Sequence, residues 1–465
     1  MTDEQTARLS GPVTGGKGWP FAAPPQKVVE RHGCVVEEFF LEGVAGSYEP
    51  AEGTETGPDG KWTVVPGPTA EYKTRIYVVR PADAAAFNGV VDVNWLNVSA
   101  GIDLGAPTEH HMAAGYAWVG VSAQRIGVHG QRSLIGEGHT KGLRGIDPDR
   151  YSSLTHPGDA HSYDIFTQAA RTVSRDRVIE GVDPLGGLQP ELLIASGGSQ
   201  STMRLGAYLN MCDDVERLFD GYYLLTHWGI CSRPPAQHAG ESLAGPDEHG
   251  MHGGTSAIND RGRVKVLALC SETETMWNLP VRQPDTDTFR YWEMAGTSHI
   301  GAAAGMTFAG DGDAPAVGMS APQSSANLTP WSYVSDAAFE HLVAWVRDGI
   351  APPTIPYIEA TLEGGIARDE VGNALGGIRM PDVEAPTGVI WGDNGGDLWA
   401  MMSGRSTPLT DEQLAARYTG PAQYLDEWDA AVDRLHAQGL VLDDAVESVR
   451  ARARDIAAER WPDAT

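Results

Sequence analysis

Apolar runs of strand length constrain the fold of this chain more than any other feature. Several of them are apolar on both faces, which is typical of strands in the middle of a parallel sheet covered by helices. They recur from about residue 88 onward and read GVVDVNWLNV, YAWVGVSAQ, PELLIASG, VKVLALC and FRYWEMAG. Patterns with helical spacing lie between them, such as SYDIFTQAARTVSRD and STMRLGAYLNMCDDVERLFDGYY. This alternation predicts an α/β fold with a mainly parallel sheet flanked by helices.

Further segments are predicted around this core. The Pro- and Gly-rich residues 1–30 are expected to form an arm on the surface, followed by extended segments CVVEEFFLEGVAGSY and EYKTRIYVVRP. The core is expected over residues 31–350, and it includes a long loop at 300–332 of the kind that lines or covers a site. Residues 351–465 are expected to form an extension packed on the core, with two amphipathic helices separated at Gly439.

Composition and charge exclude several classes of protein. The 465 residues carry 62 acidic and 34 basic side chains, a formal net charge of −28, and no stretch concentrates Lys or Arg. Binding to nucleic acid or to an anionic membrane needs a basic face, so we expect neither partner. No window reaches the roughly 18 apolar residues that cross a bilayer, and the N-terminus lacks the pattern of a secretion signal.

The cysteines are few and widely spaced, and they form no CxxC pair: Cys34, Cys212, Cys231 and Cys270. Zinc sites and thioredoxin-type redox sites use closely spaced cysteines, so neither is expected. We expect a cytoplasmic protein with reduced thiols.

The segment PELLIASGGSQSTMRLGAYLN holds the strongest candidate for chemistry. Its apolar strand runs into Gly197-Gly198-Ser199-Gln200-Ser201, and a helical pattern starts at once. In a nucleophile elbow a serine occupies such a strained turn, and small residues two before and two after it let strand and helix approach. Gly197 and Ser201 are small, although the usual GxSxG pattern ends in Gly. The alternative is a plain connecting turn.

A serine nucleophile needs an acid and a base, which follow it along the chain in the order acid, then histidine, in folds of this kind. VKVLALC is followed by Ser271-Glu272-Thr273-Glu274, and FRYWEMAG is followed by Thr297-Ser298-His299. Parallel strands end at one edge of a sheet, where such groups can assemble. We predict His299 as the base and Glu274 as the acid, with Glu272 as the alternative acid.

An oxyanion hole needs two backbone N–H groups. Gln200, directly after Ser199, supplies the first. The second is predicted at Asn97 and Val98, in the loop of small residues NVSAG that follows the strand DVNWL. An ordinary Gly turn is the alternative for this loop.

The segment HPGDAHSYD brings together four residue types that bind metals: His156, Asp159, His161 and Asp164. Their spacing matches no standard site, and a serine mechanism needs no metal. We therefore predict neither a metal nor a cofactor.

Taken together, these segments resemble the bacterial "alpha/beta hydrolase domain" family, whose members have about this length. The matching stretches are NWLNVSAG, GYAWVGVSAQRIGV, SLTHPGDAHSYDIFTQAAR, GGSQSTMRLGAYLN, LCSETET, AGTSH, HLVAWVRDGIAPP and GNALGGIRMP. The resemblance covers nearly the whole chain from about residue 30. It implies an α/β-hydrolase fold with Ser199 as the nucleophile and His299 as the base. It also implies that GNALGGIRMP, which contains Arg379, packs toward the catalytic edge.

The chain departs from the expected family pattern at two positions. Glu274 stands where SETD is expected, which keeps a carboxylate but leaves the identity of the acid open. Asn94 stands where an acidic residue is expected before WLNV, and this change is expected to affect the pocket.

These observations predict a serine hydrolase that cleaves a carboxylic ester through an acyl-enzyme intermediate. Its partner would be a small-molecule ester, and the oligomeric state is left open. The negative charge favours a neutral, hydrophobic ester unless a basic side chain lines the entrance, with Arg125, Arg282, Arg290 and Arg379 as candidates. Substrate contacts are predicted for Trp95, Trp228, Trp277 and Arg379, with core packing as the alternative for the tryptophans. An acyltransferase with the same triad and a catalytically silent binding protein are the alternative functions.

Overall fold

The computed structural model describes residues 7–131, 140–179, 181–234, 254–301, 325–327, 329–396 and 398–464. These residues form two compact units, one up to Val266 and the other from Leu267 onward. Most of the predicted loop at 300–332 lies outside the described residues. The predicted division into arm, core and extension stays a prediction.

The first unit contains most of the predicted strands. Its elements in chain order are β1 (Arg8–Ser10), α1 (Gln26–Arg31), β2 (Cys34–Pro50), β3 (Val64–Pro81), β4 (Val90–Trp95), α2 (Glu109–Ala113), β5 (Ala117–Val121), α3 (Arg125–His129), α4 (Gly142–Ile146), α5 (Pro148–Tyr151), α6 (Ser162–Arg171), β6 (Leu192–Gly198), α7 (Gln200–Met211), α8 (Asp213–Glu216), β7 (Gly221–Leu225), β8 (Ile230–Cys231) and β9 (Gly254–Thr255).

The strands of this unit lie side by side in the order β1-β2-β3-β5-β4-β6-β7. The pairs from β1 to β5 are antiparallel, and the pairs from β5 to β7 are parallel. The parallel strands β4, β5 and β6 are buried along nearly their whole length, as expected for strands covered on both faces. The prediction of a parallel sheet from the apolar runs is confirmed.

One part of the helical prediction is wrong. The pattern from Ser201 to Tyr223 was expected to be helical throughout, but α8 ends at Glu216 and Gly221–Leu225 forms β7. Arg217 ends the helix in a left-handed conformation, with a φ of +47°. The dipeptide Asp220-Gly221, which is typical of turns, stands between this helix and the apolar run, and the run itself suits a buried strand as well as a buried helix.

The described part of the predicted arm is tied into the first unit. Strand β1 pairs with β2, from Arg8 opposite Glu42 to Ser10 opposite Phe40. Further along, the fully buried Arg75 donates a 2.9 Å hydrogen bond to the carbonyl of Phe21. Arg150 donates to the carbonyls of residues 13 and 15 at 3.0 and 2.9 Å. Backbone groups of the arm thus satisfy buried guanidinium groups.

The second unit contains the acid and histidine segments, each of which follows a strand. Its elements are β10 (Lys265–Ser271, which begins just before the boundary), α9 (Thr275–Asn278), β11 (Phe289–Ala295), α10 (Ser332–Asp348), β12 (Ala360–Thr361), β13 (Gly365–Ile366), β14 (Ile378–Arg379), α11 (Pro381–Glu384), β15 (Gly388–Trp391), α12 (Leu398–Ser403), β16 (Arg405–Pro408), α13 (Asp411–Arg417), α14 (Pro421–Ala437) and α15 (Asp443–Arg460). Strand β10 neighbours β11, and β11 pairs in parallel with β14.

The helical C-terminus packs around its own apolar cluster. Tyr424, Trp428 and Val432 of α14 pack with Val449 and Ala453 of α15. Gly439 separates the two helices with a φ of +71°, a conformation that glycine adopts without strain. The predicted pair of helices broken at Gly439 is confirmed. Among the described helices, none combines the length and the apolar character that a membrane crossing requires.

Candidate active site

Ser199 lies at the turn between β6 and α7. Its φ of +57° and ψ of −124° place a non-glycine residue in a sparsely populated region of backbone conformation. Two hydrogen bonds of 2.9 Å hold this conformation: the Ser199 N–H donates to the carbonyl of Leu225, and the Thr202 N–H donates to the carbonyl of Ser199. Such strain persists only where the surrounding structure enforces it, and it recurs at functional sites.

Ser201, which departs from the GxSxG pattern, bridges the same turn. Its Oγ accepts a hydrogen bond from the Gly198 N–H and donates one to the Gly198 carbonyl, both at 2.9 Å. A Cβ added at Gly197 would lie 3.1 Å from Ser201 Oγ, closer than ordinary van der Waals contact. Strand and helix therefore approach closely here, and the serine supplies turn hydrogen bonds that a glycine would lack.

The loop after β4 differs from the expectation. The amides predicted to face an oxyanion already donate within the protein: Asn97 N–H to the Leu104 carbonyl at 2.8 Å, and Val98 N–H to Gln200 Oε1 at 3.2 Å. The Ser99 N–H donates to Asn97 Oδ1 at 2.8 Å. A hydrogen that is already donated is not directed at a substrate oxygen, so in this conformation the loop does not present Asn97 and Val98 as a second oxyanion donor.

The turn after β10 carries the two candidate acids, and both are buried. Glu274 Oε1 lies 2.6 Å from His299 Nδ1. Its other oxygen accepts the N–H of Ser271 at 2.7 Å and the hydroxyl of Ser271 at 2.8 Å. The carboxylate acceptor favours the proton on Nδ1, which makes Nε2 the ring nitrogen that can take up a further proton. The His299 N–H donates to Thr273 Oγ1 at 2.9 Å, so the turn also holds the backbone beside the imidazole.

Glu272, the alternative acid, has different partners. Its carboxylate accepts the N–H of Gly296 at 2.8 Å and the N–H of Gly392 at 3.0 Å. Arg368 pairs with the same carboxylate at 2.7 Å. The Glu272 carboxylate therefore links the backbone of Gly296, three residues before His299, to the backbone of Gly392, which lies far along the chain. The sequence did not predict that Arg368 pairs with Glu272, because no pattern around Arg368 indicates such a partner.

The predicted substrate contacts fall in different environments. Trp95 is fully buried, its ring lies 4.8 Å from that of Phe166, and core packing is its observed role. The Arg379 guanidinium is engaged by Glu384 at 2.6 Å and by Asp369 at 3.0 Å, so it differs from the expected substrate-facing cation. Trp228 is buried, whereas Trp277 on α9 is 48% exposed. Substrate roles for Trp228 and Trp277 stay predictions.

The residues of HPGDAHSYD each have protein partners. His156 Nε2 lies 2.9 Å from the Ala123 carbonyl, and burial lowers the pKa of His156 to about 4. His161 Nδ1 lies 3.1 Å from the Ala45 carbonyl, and Asp164 accepts the Gly46 N–H at 2.7 Å. Within the ranges that the structure describes, no group of three or more His, Cys, Asp or Glu side chains could hold a metal ion. The four cysteines are buried, and none of them forms a disulfide bond.

Asn94, the second departure from the expected pattern, lies inside the sheet. Its Nδ2 donates a 2.8 Å hydrogen bond to Ser196 Oγ on the neighbouring strand β6. Asp92, two residues earlier on the same strand, is buried, and burial raises its pKa to about 7.

Parallel strands, a serine in a strained turn after β6, and a carboxylate–histidine pair after β10 and β11 are together the features of the α/β-hydrolase class. A family model described as "Alpha/beta hydrolase domain" matches residues 9–451. The chain belongs to this family, which supports a hydrolase activity and confirms the predicted fold class.

Solved structures show more distant likeness. Esterase Est22 with p-nitrophenol is 13% identical over 58% of this chain and 74% of its own, with a TM-score of 0.29. A putative dienelactone hydrolase from Klebsiella pneumoniae is 13% identical over 50% and 72%, with a TM-score of 0.22. Oligopeptidase B from Leishmania major is 11% identical over 56% and 33%, with a TM-score of 0.28. Likeness at this level adds nothing to the family match, and no curated protein matches the chain.

Proposed function

We propose that the protein is a serine hydrolase that cleaves carboxylic esters with Ser199 as the nucleophile, His299 as the base and Glu274 as the acid. The observation that carries the proposal is the buried 2.6 Å contact between Glu274 and His299 Nδ1. A buried carboxylate on Nδ1 is what a catalytic imidazole needs, because it sets the tautomer and stabilises the imidazolium. The strained turn at Ser199 and the chain order Ser, Glu, His support the same assignment.

The proposed reaction has two steps. Ser199 Oγ attacks the ester carbonyl while His299 Nε2 takes the hydroxyl proton, and His299 then gives that proton to the leaving alcohol. In the second step His299 activates water, which releases the acid from the acyl-serine. The backbone N–H of Gln200, at the start of α7, donates to the oxyanion, and the amides of residues 97–99 keep their acceptors within the protein.

A neutral ester is the proposed substrate class. The chain has a formal net charge of −28, which repels an anionic substrate. Three of the arginines considered as possible counter-charges have carboxylate partners of their own: Arg282 with Glu293, Arg290 with Asp285, and Arg379 with Asp369. Little basic charge therefore remains at these positions to recruit an anion.

The test is a series of p-nitrophenyl esters of increasing acyl length. Ser199→Ala and His299→Ala are each expected to lower kcat/KM by at least about 10³-fold, because the members of a triad act as a unit. Ser448→Ala, which removes an exposed helix hydroxyl that bonds the Ala445 carbonyl, is the control and is expected to match wild type. Covalent labelling by a fluorophosphonate should require Ser199. The proposal would be contradicted if the wild-type protein cleaved none of the esters, or if the Ser199→Ala variant were as active as wild type.

A further inference from the structure

The side chain of Gln200, the residue after the proposed nucleophile, is buried, and both its oxygen and its nitrogen form hydrogen bonds. Its Oε1 accepts the Val98 N–H at 3.2 Å, and its Nε2 donates to Gln124 Oε1 at 3.1 Å. Val98 belongs to the loop between β4 and α2, and this loop is closed by reciprocal hydrogen bonds between Asn97 and Leu104. The Gln200 side chain therefore joins the start of α7 to that loop.

Gln124 is fully buried and holds the far side of Gln200. Its Oε1 also accepts the indole N–H of Trp95 at 3.1 Å, and Trp95 is the last residue of the strand that leads into the loop. Its Nε2 donates to Asp159 Oδ2 at 3.1 Å. One carboxamide thus contacts the strand end, the residue after Ser199 and a buried carboxylate.

The chemistry of the outer partners determines how both carboxamides are oriented. The Trp95 indole and the Val98 amide can only donate, and the Asp159 carboxylate can only accept. Turning over the amide of Gln124 would place donor against donor at Trp95 and acceptor against acceptor at Asp159. The observed orientation of the Gln124 amide satisfies all of these contacts, whereas the reversed orientation would lose the hydrogen bonds to Trp95 and Asp159. The observed orientation is therefore strongly favoured, because a buried donor or acceptor without a partner is costly.

Asp159 is itself anchored. Its Oδ1 accepts the Arg125 N–H at 2.7 Å, and its Oδ2 lies 3.2 Å from an Arg204 nitrogen. Arg204 follows Gln200 by four residues on α7, so both side chains lie on one face of this helix. The contacts form a ring that starts and ends on α7: Gln200, Gln124, Asp159 and Arg204.

We propose that Gln124 is a positioning residue: through the side chain of Gln200 it holds the 97–104 loop against the start of α7, and it does not touch the substrate. The consequence for catalysis rests on the proposed function, because it concerns the amide of Gln200 as an oxyanion donor. Donors of this kind stabilise a transition state only when they are held in place beforehand. The loop-holding role itself does not depend on which reaction is catalysed.

The experiment compares Gln124→Met with Gln168→Met in the full chain. Gln168 is the matched control, because it is another buried glutamine of the first unit, and it bonds to Tyr72, Asp164 and the Val44 carbonyl. Amide hydrogen exchange is measured on peptides that cover residues 97–104. Gln124→Met is expected to speed exchange there by roughly tenfold, about the effect of one lost hydrogen bond, and Gln168→Met is expected to leave it unchanged. On p-nitrophenyl esters, Gln124→Met is expected to lower kcat by about tenfold or more with KM nearly unchanged.

The outcomes separate this inference from the proposed function. If wild type cleaves no ester but exchange in residues 97–104 still depends on Gln124, the proposed function fails and the positioning role holds. If Gln124→Met folds and exchange in the loop stays at the wild-type rate, the positioning role is overturned whatever the activity. Should Gln124→Met not fold, Gln200→Met removes the same link while leaving the contact between Gln124 and Asp159. Unchanged exchange in Gln200→Met then overturns the inference, and faster exchange supports it.

Discussion

The turn at Ser199 and the turn that carries the two glutamates are held by different chemistry. At Ser199, the turn is held by backbone groups and the Ser201 hydroxyl, and the uncharged carboxamides of Gln200 and Gln124 join it to the 97–104 loop. Beside His299, the contacts are made by the carboxylates of Glu272 and Glu274. A buried amide needs only hydrogen-bond partners, whereas a buried carboxylate also needs compensation of its charge. The carboxamides orient the Val98 amide without placing a charge against it. The Glu274 carboxylate places a negative charge beside His299, the residue proposed to transfer a proton.

The two glutamates are separated by a single residue in the sequence but have separate tasks. Glu274 folds back on Ser271 and reaches His299, whereas Glu272 bonds to Gly296, Gly392 and Arg368. One carboxylate is therefore placed to act on the imidazole. The other is compensated by an arginine and by backbone amides, which is a structural arrangement.

The largest effect is expected from Glu274→Gln. The variant keeps the size of the side chain but removes the charge that supports His299, so kcat should fall by about 10³- to 10⁴-fold. Glu272→Gln should lower kcat far less at a temperature where it stays folded. Steady-state rates on one p-nitrophenyl ester measure both, with thermal unfolding as the check on folding. A larger loss in Glu272→Gln would reverse the division of tasks.

The next effect concerns stability at Glu272. Removing Arg368 leaves a buried carboxylate without its cation, so Arg368→Met should lower the free energy of unfolding by about 3 kcal/mol. The double variant Glu272→Gln, Arg368→Met should be more stable than the sum of the single changes predicts, because neither charge is then left alone. Urea unfolding of the four proteins gives the coupling energy. Simple additivity of the two changes would show that the pair is not coupled.

An effect of similar size, but one that depends on pH, is expected at Asp92, a buried carboxylate of the first unit that has no arginine partner among the described residues. One of its oxygens has no hydrogen-bond partner in the part of the chain that the structure describes, and the other lies 3.7 Å from His111 Nε2. Burial raises its pKa from 3.8 to about 7. Between these values the folded state holds a proton that the unfolded state has lost, so the contribution of Asp92 to stability falls as pH rises.

Asp92→Asn should remove this dependence. Relative to wild type it should gain about 4 kcal/mol at pH 8 and little or nothing at pH 4, because a pKa raised from 3.8 to about 7 corresponds to about that free energy. Unfolding by urea at several pH values measures the difference between the two proteins. A difference that stays constant from pH 4 to pH 8 would contradict a raised pKa at this residue.

The smallest effect is expected for an arginine in an exposed ion pair. Arg454 and Glu447 on α15 lie close together, but their side chains are 54% and 76% exposed. Arg454→Met should change the free energy of unfolding by less than about 0.5 kcal/mol, because water screens the pair. Comparison of Arg454→Met with Arg368→Met measures how much burial increases the contribution of an arginine–glutamate pair to the free energy of unfolding. A loss as large as that of Arg368→Met would mean that burial is not the cause.

The sequence predicted the strands and the candidate residues better than their contacts. Apolar runs identified β4, β5, β6, β10 and β11, since these runs have the length of strands and alternate with longer segments of helical spacing. The same patterns did not place β7, because its short apolar run continues the helical spacing of α7 and α8 and periodicity alone cannot tell a buried strand from a buried helix. Trp95 was expected at the substrate, but an aromatic side chain at a strand end has the same appearance in the sequence whether it faces a pocket or the core.

By itself the sequence determined the α/β-hydrolase fold, the order Ser199, Glu274 and His299, and the small residues around the serine turn. These follow from local patterns of apolar, small and polar residues. Only the tertiary structure decided which glutamate contacts His299. Glu272 instead bonds to Gly392 and pairs with Arg368, and both of these residues lie far along the chain from it. Only the tertiary structure showed that the Val98 amide belongs to Gln200. Hydrogen bonds between distant segments depend on which loops lie next to each other after the strands have paired. A local sequence pattern does not encode that proximity.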